Sequence, residues 1–230
     1  MIYSMITKTI KSMITTVINP FDGLISRYFL NLDPVLNSYY EIATTITFTG
    51  DFEVEVDAYE PIANYGGVIS GSNFELLTRA DGSLEKMSVL VGGASMSIES
   101  AFSRTVFNNL KITRTGSTTT IVTSLGTFDV SAVFGSVTVN IDAIGKNTSG
   151  IGGPDLFNGI IANAKFTDKS GASDVVTTFK LDQATANTES SIEGNNSVTY
   201  KNIPQSAREL YTLDGTTWTD AAGNTIEVAS

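Results

Sequence analysis

From Phe52 the chain reads Phe-Glu-Val-Glu-Val-Asp, apolar and acidic side chains in strict alternation. Successive side chains point to opposite faces only in an extended strand, so this run predicts a strand with Phe52, Val54 and Val56 in a core and Glu53, Glu55 and Asp57 in water. Comparable short runs follow at Gly67–Ser70, Phe74–Thr78, Met87–Val91, Met96–Glu99, Leu110–Arg114, Thr119–Thr123, Thr127–Val130, Val137–Ile144, Gly159–Phe166 and Val175–Leu181. Turn residues separate them: Asp81-Gly82, Gly92-Gly93, Thr115-Gly116-Ser117, Gly145, the Gly150–Pro154 cluster and Ser170-Gly171. Roughly ten short strands at such spacing specify an antiparallel sandwich rather than alternating strands and helices.

Composition narrows the chemistry. The sequence holds no cysteine and no histidine, which removes disulfides, thiolate nucleophiles, Cys/His zinc sites and any imidazole base. With 41% hydrophobic and 17% charged residues in 230, the chain can bury a sizeable core. Its net charge of −10 repels phosphate backbones, so nucleic acid is not an expected partner.

The first stretch follows another period. Ile2, Met5, Ile6, Ile10, Met13, Ile14 and Val17 recur at three- and four-residue steps, which predicts an amphipathic helix ended by Asn19-Pro20. Phe21, Leu24, Ile25, Tyr28, Phe29 and Leu30 continue the apolar character up to the Asp33-Pro34 turn. Residues 1–38 carry Lys8, Lys11 and Arg27 against Asp22 and Asp33, a net of +1, which leaves −11 for the rest of a chain totalling −10. This predicts a distinct arm at 1–38, whose candidate docking residues are Ile6, Ile10, Met13, Ile14, Val17, Phe21 and Phe29. Such an arm packs on its own body, lies on a membrane surface or docks into a partner's groove. No cleavable leader and no apolar run long enough to span a bilayer is read from the sequence. After Leu181 a Thr/Asn/Ser/Gly-rich stretch reads as a linker, followed by extended segments around Val198–Lys201 and Leu210–Trp218 with Asp214-Gly215 as a tight turn.

Five segments, Phe52-Glu-Val-Glu-Val, Gly66-Gly67-Val-Ile, Leu110-Lys-Ile-Thr-Arg-Thr-Gly116, Ile151-Gly-Gly and Phe157-Asn-Gly-Ile-Ile-Ala-Asn-Ala-Lys-Phe166, occur in an order that resembles the concanavalin A-like or laminin G-like jelly roll over Tyr39 to Leu181. Thr/Asn-rich versions of this domain beside a short arm are similar to those of bacteriophage tail and virion proteins. The resemblance therefore implies a virion component.

Candidate sites follow from the residues. Glu55-Val-Asp-Ala-Tyr-Glu60 is similar to the E-x-D-x-x-E signature of the β-glucanase branch of the same fold, which would make Glu55 the nucleophile and Glu60 the acid/base, their carboxyls about 5–5.5 Å apart. Residues five apart face opposite sides of a regular strand, so that chemistry needs a bulge between them; otherwise they form a solvated acidic face. Asp142, Asp155 and Asp168 with Asn140, Asn147, Asn158 and Asn163 offer oxygen ligands that calcium would accept at a loop edge, or they serve turns by local hydrogen bonding. Tyr59, Tyr65 and Trp218 are the aromatic residues chosen as a carbohydrate contact, since an aromatic ring beside an Asp or Asn acceptor grips a sugar.

The expectation is an all-β, two-sheet antiparallel jelly-roll sandwich at 39–182, with an N-terminal helical or extended arm at 1–38 and a linker plus small C-terminal β annex at 183–230. The function this resemblance implies is that of a non-enzymatic virion structural protein, a tail-fibre, receptor-binding or capsid-decorating subunit, made in the host cytoplasm. Other virion proteins would hold it through residues 1–38, and its copies would form a homo-oligomer. The alternative is a carbohydrate-binding module for a cell-surface glycan. No cofactor is required beyond an optional calcium.

Overall fold

A computed structural model describes residues 25–62, 66–81, 84–135, 137–147 and 156–229. The amphipathic segment with Ile6, Ile10, Met13, Ile14, Val17 and Phe21 lies outside the described residues, as do Tyr65 and Asp155.

The described chain is all-β, in two sheets. One runs β14 (Thr188–Ser190), β15 (Ser197–Lys201), β2 (Tyr39–Phe48), β11 (Val139–Ile144), β4 (Gly66–Gly71), β5 (Phe74–Asp81), β6 (Leu84–Val91) and β7 (Ala94–Glu99). The other runs β10 (Gly126–Asp129), β9 (Thr118–Thr123), β8 (Val106–Thr115), β18 (Thr225–Val228), β17 (Thr217–Asp220), β16 (Arg208–Asp214), β1 (Ile25–Leu32), β12 (Gly159–Asp168) and β13 (Val175–Phe179), with β3 (Phe52–Tyr59) pairing both β12 and β8. The alternation at Phe52–Tyr59 is realised with Phe52, Val54, Val56 and Ala58 buried and the residues between them half-buried. Hairpins form at the expected glycines: Gly92 and Gly93 both take positive φ between Val91 and its partner Ala94, and Asp214 faces Thr217 across Gly215.

The main core lies between the sheets. Phe48 stacks on Phe52 from the opposite sheet at 4.7 Å, and Phe134, from the single helical turn α1 (Ser131–Phe134), reaches both Phe52 and Phe74 at 6.1 and 6.0 Å. β4 is buried at every residue because β11 runs close against it; a Cβ on Gly71 would sit 1.8 Å from the Asn140 carbonyl oxygen.

The larger sheet closes on itself. Starting from β1, neighbours run β12, β3, β8, β18, β17, β16 and back to β1, a ring of seven strands whose only parallel step joins β18 to β8 through Glu227↔Val106 and Val228↔Phe107. Closure removes the free edges that β1, β3 and β18 would otherwise present. The ring has its own interior: Phe29, Tyr59, Phe107, Ile160, Ala162, Tyr211, Leu213, Trp218 and Ile226 pack together, and every one of the seven strands contributes. Phe29 is at the centre, with Trp218, Phe107 and Tyr211 rings at 4.8, 5.0 and 5.1 Å.

Three expectations are corrected by this closure. Phe29 is not an arm residue available for docking, since it is 2% exposed inside the ring while its neighbours Leu30 and Leu32 enter the main core. The arm therefore does not extend to residue 38: β1 pairs with β16 over residues 25–30 and with β12 at Asn31 and Leu32. Residues 208–228 are likewise no annex, because β16, β17 and β18 supply three of the ring's seven strands. In physical terms, a β-strand whose two faces enter two different cores shows no clean alternation, and Tyr28–Leu30 therefore read as helix-like or irregular.

A bulge in β12 breaks that strand's alternation. Ala162 faces Asp57 and Ala164 faces Val56, so Asn163 is the extra residue, held at φ +52 with its N–H bonded to the Lys180 carbonyl at 3.2 Å. Regular alternation would align Ile160, Ala162, Ala164 and Phe166; instead Ile160 and Ala162 enter the ring, and Ile161, Ala164 and Phe166 enter the main core.

Candidate functional site

The bulge sets a group of polar side chains against an aromatic wall. Arg27 precedes Phe29 by two residues, Asp57 precedes Tyr59 by two, and Asn109 follows Phe107 by two. Because β1 and β3 run opposite to β8 and β12, all three polar residues fall at the same end of the ring, one side-chain layer beyond the aromatic layer. The extra residue in β12 swings Asn163 into that layer, although its place in a regular strand would turn it away from Ala162's side.

The four side chains form one network. Asp57 Oδ1 accepts from Asn109 Nδ2 at 2.9 Å, and Asp57 Oδ2 accepts from Asn163 Nδ2 at 2.7 Å. Asn163 Oδ1 in turn accepts from Arg27 Nη1 at 3.0 Å, while Arg27 Nη2 donates to the Lys180 carbonyl and lies 4.0 Å from Asp182. The Arg27 guanidinium carbon stands 5.2 Å from the Phe29 ring centre. Burial pushes the Arg27 guanidinium below its ordinary value, opposed by Asp182 and Asp57. An arginine remains charged under such pressure, and its guanidinium faces the carboxylates of both Asp182 and Asp57.

Beneath this rim is a recess of about 120 Å³ floored by Phe29, Phe107, Ala162 and Trp218 and flanked by Val228 and Ala229. Chemically it offers hydrogen bonding at the mouth and an apolar, polarisable floor. That combination suits a polar molecule with an apolar part. A wider groove of about 460 Å³ lies beside Leu36, Asn187, Tyr200 and Ile203, where the Tyr200 hydroxyl is committed to Glu189 and Asn187 Oδ1 accepts from Arg208 Nη2 at 2.6 Å.

Of the three aromatic residues chosen as carbohydrate contacts, Trp218 lines the recess, Tyr59 packs inside the ring 5.7 Å from Phe107, and Tyr65 is outside the described residues. Arg27, Asn109 and Phe107 carry no role in the sequence reading, which places Asp57 on a solvated acidic face and Asn163 among the calcium ligands. One signal was available: an asparagine in the middle of Ile160-Ile-Ala-Asn-Ala-Lys-Phe166, the residue type that most readily takes a left-handed backbone at a bulge.

The Glu55/Glu60 pair does not converge. Strand β3 pairs with β8 without interruption from Phe52↔Arg114 to Ala58↔Asn108, so no bulge lies in it up to Ala58 and the alternation holds. Glu55 faces Lys165 at 3.6 Å on the outer face. Glu60 is sealed at 0% exposure on Arg104 Nη1 at 2.6 Å; burial, outweighing hydrogen bonds from Thr78 and Arg104, pushes its carboxyl up to about 7. Glu53 is the opposite case. Against burial, hydrogen bonds from Lys111 and Lys169 at 2.9 and 3.0 Å hold it down at about 2.

The candidate calcium ligands are dispersed among the described residues. Asp168 accepts from Ser170 N and Oγ at 2.9 and 2.6 Å, Asn140 bonds Thr47 and Ser72, and Asn163 belongs to the recess. No group of three or more acidic residues that could hold a metal occurs among the described residues. Nor, among them, is any helix long and apolar enough to cross a membrane. Comparison with protein-family models gives no match, and neither does comparison with curated protein sequences.

Proposed function

We propose that the protein is a non-catalytic recognition module that binds a neutral sugar of a cell-surface glycan at the mouth of its seven-stranded ring. The observation that carries this reading is the Arg27–Asn163–Asp57–Asn109 network set over an aromatic floor, the pairing of fixed polar groups with apolar surface that sugar binding requires. Cross-bonding matters because a rim whose rotamers are already fixed spends little conformational entropy on capturing a ligand.

The setting we propose is a virion, with the protein as a tail-fibre, receptor-binding or capsid-decorating subunit in a homo-oligomer. The resemblance of Tyr39–Leu181 to jelly-roll domains of such particles supports it, and we take the two packed sheets as a jelly-roll sandwich fused to the ring. Attachment is assigned to the segment before β1, whose apolar spacing from Ile2 to Val17 suits a docking helix.

A glycan array probed with the full-length chain and its Asn109→Ala variant tests the binding reading. Asn109 is exposed, so its loss leaves the fold intact. The expected result is a family of glycans bound by the parent and lost or weakened at least tenfold in the variant. Absence of any bound glycan at high protein density, or binding indifferent to Asn109→Ala, would overturn it.

A further inference from the structure

We infer that the recess selects N-acetylated sugars, with the acetamido group entering the recess and the sugar ring resting outside it; this rests on the sugar-binding reading above. Size is the first reason. Pockets that engulf a drug-sized ligand measure about 300–1,000 Å³, against about 120 Å³ here, which admits a side group and not a pyranose. Exposure is the second. Phe29, Phe107 and Trp218 are 2%, 5% and 9% exposed, so no aromatic face lies open as a platform for a flat sugar ring. What the aromatic residues and Ala162 do offer is a small apolar end wall, the complement of a methyl group.

The rim supplies the rest of an amide's requirements. Each Asp57 oxygen already accepts one asparagine N–H and retains a second lone pair, a charge-assisted acceptor for the acetamido N–H. Arg27 carries five N–H groups, and its hydrogen bonds to Asn163 and Lys180 leave donors for the acetamido carbonyl. Arg27 faces the carboxylates of both Asp182 and Asp57, which leaves the rim net negative and disfavours the carboxylate of a uronic acid where the N-acetyl form is accepted.

The test titrates the full-length chain with N-acetylglucosamine, N-acetylgalactosamine, glucosamine, glucose and galactose. Two readouts are used: emission of Trp218, the one tryptophan in the sequence, and saturation transfer to the ligand protons. The expected result is at least tenfold tighter binding of an acetylated sugar than of its parent hexose, with the acetyl methyl the most strongly saturated group. Val228→Phe, at a 38% exposed position beside the recess, plugs it and abolishes that preference, and Asn109→Ala weakens all binding. Equal binding of acetylated and parent sugars, still sensitive to both variants, would overturn the acetamido assignment and leave the sugar site standing. No binding of any of the five, or binding untouched by both variants, would overturn both.

Discussion

Replacing Phe29 by alanine is expected to cost about 4 kcal/mol, because truncating a fully buried phenylalanine typically costs about 3–5 kcal/mol when the surroundings cannot collapse. Collapse is hindered here: three aromatic rings stand within 5.1 Å of Phe29, and each belongs to a strand locked into the ring by pairing on both sides. For a domain of this size each kcal/mol lowers Tm by about 2–4 °C, so the loss should be roughly 8–16 °C. Urea and thermal unfolding of the full chain followed by Trp218 emission and by far-UV circular dichroism would measure it. Both probes should shift together, since Leu30 and Leu32 tie the same strand into the main core. A change under about 1 kcal/mol would refute the reasoning and return Phe29 to a peripheral arm, and a shift in emission alone would mean that the ring melts separately from the sandwich.

Other outcomes are expected from the same geometry. A chain beginning at residue 25 keeps β1 and should fold with the parent's stability, whereas one beginning at Tyr39 opens the ring and should be insoluble or molten by near-UV circular dichroism. Glu60, whose folded-state carboxyl sits at about 7 against an ordinary 4.5, contributes stability that is complete below pH 4.5 and lost as pH rises through 7, on the order of 3 kcal/mol; Glu60→Gln should flatten the urea midpoint between pH 5 and 8. Glu53, held at about 2, acts in the opposite sense: its contribution is present above pH 4.5 and lost as pH falls through 2, so Glu53→Gln should make the chain less sensitive to acid. Asn163→Gly should stay within about 1 kcal/mol of the parent, since glycine accepts the positive φ at the bulge, yet lose glycan binding. Asn163→Val should cost about 1–3 kcal/mol through backbone strain in the same melts.

Phe52–Tyr59 was legible because its residues alternate between buried and half-buried, and the turns at Gly92-Gly93 and Asp214-Gly215 because glycine takes the positive φ they need. The closing of strands into a ring was not legible, for a physical reason. Strands shared by two cores bury consecutive residues, as Gly159–Ala162 does, and that erases the period-two signal on which a strand is recognised. Closure through β18 and β8 is also a pairing between residues more than a hundred positions apart, of which local sequence carries no trace. The recess was half visible. The sequence reading marks Trp218 as an aromatic of interest but assigns Asp57 to a solvated face and Phe29 to an arm, because ring closure brings these residues together and the bulge adds Asn163.

The central claim is that the polar rim over the aromatic floor is where this protein meets its ligand. Side-chain amide and indole resonances of the ¹⁵N-labelled full-length chain, followed during titration with N-acetylglucosamine, test it directly. The Asn109 and Asn163 NH₂ pairs and the Trp218 indole N–H should shift together along one saturable curve. Shifts confined to other residues, with those three signals unmoved at saturating sugar, would contradict it.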